Sequence, residues 1–259
     1  MLFLHTSSET NPFPLIFRRT VDGRTPGQPA MEMAIITTIA VIIGALILSI
    51  IVGIVVAVLQ LSRFPSLRFA GALYVETFRG LPIYVMLLFV YFGVRALLKS
   101  MPLPFEIPGV TSATAPHNIS LSPFISAVIA LGCCYGAYMS EVMRAGITAI
   151  PPEEIEAASL EAERWQVYLH VIFPQALRII LPALVNECIA LTKDSSLVGA
   201  ITLIDLTRSA DIYARSTFLY FETFSALALM YLFISLLLSR LQRTLERIFY
   251  KDSLVAEAR

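Results

Sequence analysis

The chain has 259 residues, of which 57% are hydrophobic and only 15% charged, with a mean hydropathy of +0.75. Soluble domains carry about 25% charged residues, so that class is excluded and the chain reads as an all-α, multi-pass membrane protein. Nineteen basic residues balance nineteen acidic ones, which excludes a global basic surface for nucleic acid.

Residues 1–30 hold Pro12, Pro14, Pro26 and Pro29 with no sustained apolar period. They read as a flexible tail without the apolar core of a signal peptide, and Met31 or Met33 would serve as an alternative start. The run 34–61, "AIITTIAVIIGALILSIIVGIVVAVLQL", is uncharged and exceeds the about 20 residues needed to cross a bilayer. After the basic link "SRFPSLR", a second span is expected over 69–98, despite Glu76, Arg79 and Pro82. The proline-rich stretch 99–122 reads as a loop. A third span is expected over 123–147, a fourth over 179–203 and a fifth over 218–241. A membrane domain of 31–247 then leaves 248–259 as a C-terminal tail.

Five crossings put the two ends on opposite sides. Arg63, Arg68, Arg144, Arg164, Arg178, Arg240, Arg243, Arg247 and Lys251 fall on one side, and Arg95, Lys99, Arg208 and Arg215 with the tail arginines on the other. Basic residues near span ends favour the cytoplasm, so the expected orientation is N-terminus outside and C-terminus inside.

The segment 150–178 is then a cytoplasmic loop. "IPPEE" suits a helix start, with proline in the first turn and carboxylates at the positive end of the dipole. Ile155, Ala158, Ala162, Trp165 and Leu169 recur at steps of three or four, which predicts one amphipathic helix that Pro174 limits. Helices that lie on lipid usually carry basic polar faces, whereas this one opens on Glu153, Glu154 and Glu156. That favours a protein-docking surface over a bilayer-surface helix.

Ionisable residues inside spans cost about 2.5–3.5 kcal/mol each on insertion scales. Glu76 and Arg79, like Glu141 and Arg144, are three apart and share a helix face. They read either as a structural ion-pair network or as groups that meet a passing solute. Adjacent Lys193 and Asp194 point about 100° apart, so each needs its own partner. With Asn186, Glu187, Ser195 and Ser196 they suit a cavity or gate lining, or else interhelical bonding.

The three cysteines and three histidines show no CxxC spacing or cluster, so no metal site is expected. No HExxH, nucleophile elbow or P-loop is present. The chain is not expected to be an enzyme or to bind a cofactor.

"IEAASLEAERWQVYLHVIFPQALRIILP" resembles the EAA loop of permease subunits of binding-protein-dependent ABC importers. Glu156, Ala157 and Ala158 match the motif, and Val171, Phe173 and Pro174 fall where it has Ile, Leu and Pro. The segment is one residue short, and Glu161 or Ala162 stands where the family has glycine. "YVETFRGLPIYVMLLFVYFG", "GAYMSEVMRAGITAIPPEEIEAA" and "LTKDSSLVGAITLIDLT" are similar, in the same order, to segments of the polar amino-acid branch. The resemblance covers about residues 35–250. It implies the type I importer permease fold, with the loop as the coupling element to a cytoplasmic ATPase dimer that carries the ATP and Mg. It also implies a second permease chain, identical or homologous, an external solute-binding protein, a polar amino acid as cargo and a place in the inner membrane. Rival readings are a secondary transporter or channel working without ATP, an intramembrane enzyme, and an importer of the same class carrying an opine or another small polar solute.

Overall fold

The structure, a computed structural model, describes residues 31–99, 111–112, 115–119, 121–160 and 162–257. The expected tail over 1–30 and Glu161 lie outside the described residues. Helix α1 is Met31–Gln60, α2 Pro65–Gly80 and α3 Ile83–Leu88, which continues through a π-helical turn, Phe89–Val94, into α4, Arg95–Lys99. Strands β1, Thr111–Ser112, and β2, Ala115–Ile119, form a short antiparallel pair within the expected loop. Helix α5 is Pro123–Thr148, α6 Pro152–Ser159 and α7 Arg164–Val167; a second π-helical turn, Tyr168–Ile172, joins α7 to α8, Phe173–Asp194. A 3-10 turn, Ser195–Ile201, precedes α9, Leu206–Thr217, and α10, Tyr220–Glu257.

Small residues, not large ones, make the tightest contact. The face of α1 bearing Ala34, Thr38, Ala45, Ser49 and Gly53 is buried, while Ile36, Ile39, Ile43, Ile47, Ile51 and Ile54 are exposed. That inverts the pattern of a soluble helix and is how helices approach closely in lipid. Along the contact Gly44 meets Val128, Gly132 meets Leu48, Gly136 meets Val52 and Gly53 meets Met139. Residue numbers rise together on both helices, so α1 and α5 run parallel. The chain between them must come back across the membrane, and among the described residues the α2–α3 pair is the apolar helical stretch that makes this return.

That return is not the single straight span expected over 69–98. Helix α2 already begins at Pro65, and the axes on either side of Leu81–Pro82 are bent by 102°. The ring of Pro82 disfavours helical geometry at the residue before it, and Leu81 is accordingly extended at φ −93°, ψ 134°. The other spans fall near expectation: α1 for 34–61, α5 for 123–147, α8 with its 3-10 extension for 179–203, and α10 for 218–241. Helix α10 runs on to Glu257, so its backbone stays helical through much of the expected tail.

The 150–178 segment departs from a single helix. Helix α6 stops at Ser159, and α7 restarts at Arg164. The restart is a capping box: Glu163 N–H donates to Gln166 Oε1 at 2.9 Å, and the Glu163 side chain accepts from the Gln166 backbone. From there the helix passes without a stop into the fourth span, so Pro174 does not end it. In the π-helical turn the Phe173 N–H donates five residues back, to the Tyr168 carbonyl. The widened turn gives the proline ring the room that an α-turn denies it.

Helix α5 runs antiparallel to α8, with Gly146 against Ile180 at one end and Tyr135 against Asp194 nearer the other. One core, around Leu87, Leu131, Leu191 and Ile201, fills the end near the β-hairpin; a second, around Met139, Ile150, Val167 and Ile172, fills the end near the 150–163 connection. These are called the hairpin end and the loop end below.

Candidate functional site

At the loop end, Glu141 of α5 gathers three elements. It accepts from Arg144 Nη2 at 2.9 Å and Nε at 3.3 Å, and from Gln60 Nε2, in the last turn of α1, at 2.9 Å. Arg79 of α2 approaches to 3.9 Å, and its guanidinium lies over the Tyr138 ring, 5.2 Å from the centroid. The expected pair of Glu141 and Arg144 is therefore present. Glu76 and Arg79 do not pair: α2 presents Arg79 to α5, and Glu76 is exposed with no hydrogen bond or ion pair among the described residues. Three residues of separation permit a pair on one helix, but the carboxylate across the groove already has two further donors to complete the cluster.

Glu187 of α8 lies within electrostatic range of Arg79, so a fourth span borders the cluster. Higher up, Tyr135 donates its hydroxyl to Asp194 Oδ2 at 2.7 Å. Lys193 turns the other way and lines a cavity of about 320 Å³ with Ser196, Thr207, Phe224, Leu227, Ala228 and Tyr231. The adjacent charges thus find separate surroundings, as the 100° step requires. Ser195 is buried and donates to the Thr192 carbonyl of α8 at 2.7 Å, and its hydroxyl also meets Tyr231 of α10. Asn186 is exposed.

Above the cavity, Asp205 is fully buried and caps α9, accepting from the Arg208 and Thr207 amides at 2.9 and 3.2 Å. Burial pushes its carboxyl above the ordinary range, against the pull of those amides. Thr38 of α1 accepts from the Leu206 amide at 2.9 Å, which ties the cap to the first span. Tyr91 bonds the Thr202 hydroxyl at 3.1 Å and accepts from Arg95 at 3.0 Å, and Thr202 sits at φ 66°, a left-handed conformation rare for a β-branched residue.

In the loop, Ile155, Ala158 and Ala162 pack on the loop-end core as their spacing predicts. Trp165 and Leu169 do not; they are exposed, and Val167 and Ile172 are buried instead. The break after Ser159 resets the helical phase, so a stripe counted through it points the wrong way beyond it. Leu160 is 88% exposed at that break. Glu156 and Ala157 are exposed and Pro174 half-buried, while Gln175 donates to Glu154 at 2.8 Å and pins α6 beside α8.

Gln60, Tyr135, Tyr138, Asp205 and Tyr231 were not singled out by sequence. A signal existed for two of them: Tyr135 and Tyr138 precede Glu141 at helical steps of three, and a hydroxyl at that depth in an apolar span needs a partner.

The family described as "Binding-protein-dependent transport system inner membrane component" matches residues 49–249. The probable amino-acid permease protein YxeN of Bacillus subtilis is 30% identical over 224 residues, covering 86% of this chain and 92% of YxeN. The arginine transport system permease protein ArtQ of the same organism is 31% identical, covering 86% and 93%. The corresponding ArgU of Corynebacterium glutamicum is 34% identical, covering 85% of this chain and 68% of ArgU. A solved structure described as an amino acid ABC transporter with histidines matches at a TM-score of 0.74 and 29% identity, covering 92% of this chain and 99% of that one. The inward-facing MetNI methionine ABC transporter shares the fold, at 0.57 and 16% identity. The broken second span, the loop after the third and the polar fourth all lie within the matched region, and the chain belongs to the inner-membrane components of binding-protein-dependent transport systems.

Proposed function

We propose that the chain is the membrane-spanning subunit of an ATP-driven importer for a polar amino acid, forming half of a pore with a second permease chain. One observation carries the pore reading. Arg79, Glu141, Arg144 and Glu187 cluster on three spanning elements, yet all four are partly open to the surroundings. Charged groups so placed are costly against lipid, so this flank suits a water-filled path between two permeases. Asn186 is exposed on the same helix, while Lys193 faces the separate cavity against α10. The names of the relatives support an amino acid as cargo, whose ammonium and carboxylate suit a path lined by both signs of charge.

Arg63, Arg68, Arg164, Arg178, Arg240, Arg243 and Arg247 favour a cytoplasmic loop end, with the N-terminus outside and the C-terminus inside. The α6–α7 turn then projects Glu156, Leu160 and Trp165 toward a separate ATPase dimer, which carries the ATP and Mg. Closure of the ATPases moves this turn and, through the continuous α7–α8 helix, the fourth span. A solute-binding protein delivers cargo at the hairpin end. This chain performs no covalent chemistry.

The deciding experiment is uptake by proteoliposomes holding the complete transporter, with binding protein and labelled amino acid. Uptake should require internal nucleotide; undiminished uptake without it overturns the reading. Glu156→Arg should lower uptake and ATPase retention in pull-downs about tenfold while membrane yield is unchanged. Wild-type coupling in that variant would remove this face from the docking surface.

The Tyr135–Asp194 bond makes a second, separable prediction. A hydrogen bond to a charged group contributes about 1.5–3 kcal/mol, so Tyr135→Phe should reduce folded yield or uptake on the order of tenfold. Asp194→Asn keeps an acceptor oxygen for the hydroxyl and should cost less than Asp194→Ala. If the Asn and Ala variants fail equally, the charge of Asp194, rather than its bond to Tyr135, is what the protein needs.

A further inference from the structure

We propose that the segment from Arg63 to Leu73 is a binding site for anionic phospholipid at the loop end of the bundle. Between Leu61 and Val75 the chain carries Arg63 and Arg68 and no acidic residue. Neither arginine has an ion pair or side-chain hydrogen bond among the described residues, and both are exposed. Around them stand exposed apolar side chains: Phe64 is 67% accessible and Phe69 69%, with Leu67 and Leu73 beside them. Arginine flanked by exposed phenylalanine is poorly matched both to bulk water and to acyl chains, and well matched to a layer where phosphates sit above hydrocarbon.

The fold places the segment at such a layer. The thirty residues of α1 span about 45 Å, more than the hydrocarbon thickness of about 30 Å, so Gln60 ends near a polar boundary. The link from Leu61 to Phe64 turns there. Because the second span is broken by 102° at Leu81–Pro82, α2 lies across the bundle rather than along it, and its first two turns stay near that boundary. Only one face of α2 is used inside the protein: Gly71 packs on Leu59 and Gln60, Val75 joins Val56 and Ala137, and Tyr74 donates to the Cys133 carbonyl at 2.8 Å. Phe69 and Leu73 lie on the opposite face. A straight span would have carried the same residues into the bilayer; the break turns them into a basic, aromatic-edged shelf.

The occupant is a phosphodiester headgroup with net negative charge, held by the two guanidinium groups while Phe64 and Phe69 dip beneath it. A zwitterionic headgroup presents an ammonium beside its phosphate and loses most of this attraction. Basic residues at an anionic surface act roughly additively and each shifts affinity by about fivefold, so removing both should weaken binding on the order of twentyfold.

The test uses the full chain, assembled with its ATPase, in nanodiscs of phosphatidylcholine containing a trace of photoactivatable phosphatidylglycerol. Crosslinked peptides are mapped by mass spectrometry. Labelling within 61–73 should be displaced by unlabelled phosphatidylglycerol and not by further phosphatidylcholine. It should fall at least tenfold in Arg63→Gln/Arg68→Gln and persist in Arg63→Lys/Arg68→Lys, which keeps the charge. Equal displacement by both lipids overturns the proposal, as does labelling unchanged in the glutamine variant. Crosslinks from 61–73 to the ATPase or to a second permease chain, in place of lipid, would assign the shelf to a protein and also overturn it. Nucleotide-dependent uptake measured on the same preparations keeps this result separate from the importer reading, since the shelf can fail to bind lipid in a transporter that still works.

Discussion

Glu141→Ala should lower uptake at least tenfold and destabilise the chain by about 1–3 kcal/mol, while Glu76→Ala leaves both within about twofold. By spacing the two carboxylates are alike, each three residues before an arginine in a span. In the structure they are not. Glu141 is the acceptor for Arg144, for the Gln60 amide and, at longer range, for Arg79. Its loss leaves two guanidinium groups without their counter-ion in a span region and unties the end of α1 from α5. The arginines are 45% and 41% exposed, so water compensates in part and the magnitude stays below that of a fully buried pair. Glu141→Gln, which keeps the acceptor oxygen but not the charge, should fall between wild type and alanine. Thermal unfolding of the purified chain and nucleotide-driven uptake together check the order; equal losses in the Glu76 and Glu141 variants would show that the cluster is not what matters.

Gly136→Leu is expected to be as damaging, by crowding instead of by charge. A Cβ at Gly136 would sit 2.6 Å from Val52 Cγ1 and 2.8 Å from Val52 Cβ, and one at Gly132 2.6 Å from Leu48 Cδ2. Real atoms do not approach so closely, so α1 must move away from α5 along the tightest contact of the bundle. Overpacking of this kind costs about 1–3 kcal/mol and here also shifts Ser49 and Gln60, which bond across the same contact. Gly136→Ala should be milder, and Val52→Ala, which removes the Cγ1 clash but keeps the Cβ, should relieve it in part in a double-mutant cycle. Gly80→Ala is the control, because nothing lies within 4 Å of its added carbon. Folded yield after detergent extraction reads all four; a Gly136→Leu variant with wild-type yield would show that the helices can separate at no cost.

Much of this architecture was legible in the residues. The uncharged run at 34–61 became α1, and the span expected over 123–147 became α5, because hydrocarbon thickness acts on composition and local order alone. The pair Glu141 and Arg144 was legible for the same reason, since its partners share one helix. The break at Leu81–Pro82 was written in the proline, but an apolar run of thirty residues masked it: length argued for one span, and local sterics won. Likewise Glu163 and Gln166 carried a capping box that reset the loop's helical phase, and a stripe counted across it assigned Trp165 and Leu169 to a core that Val167 and Ile172 occupy.

What the sequence by itself determined was therefore the set of apolar helices, the placement of charge near their ends and the loop motif that names the family. Each depends on residues close in the chain. The partner of Arg79 and the Tyr135 hydroxyl that answers Asp194 were decided only by tertiary structure. Those outcomes depend on the relative height and rotation of helices far apart in sequence, which small residues such as Gly132 and Gly136 set by how closely they let the backbones approach.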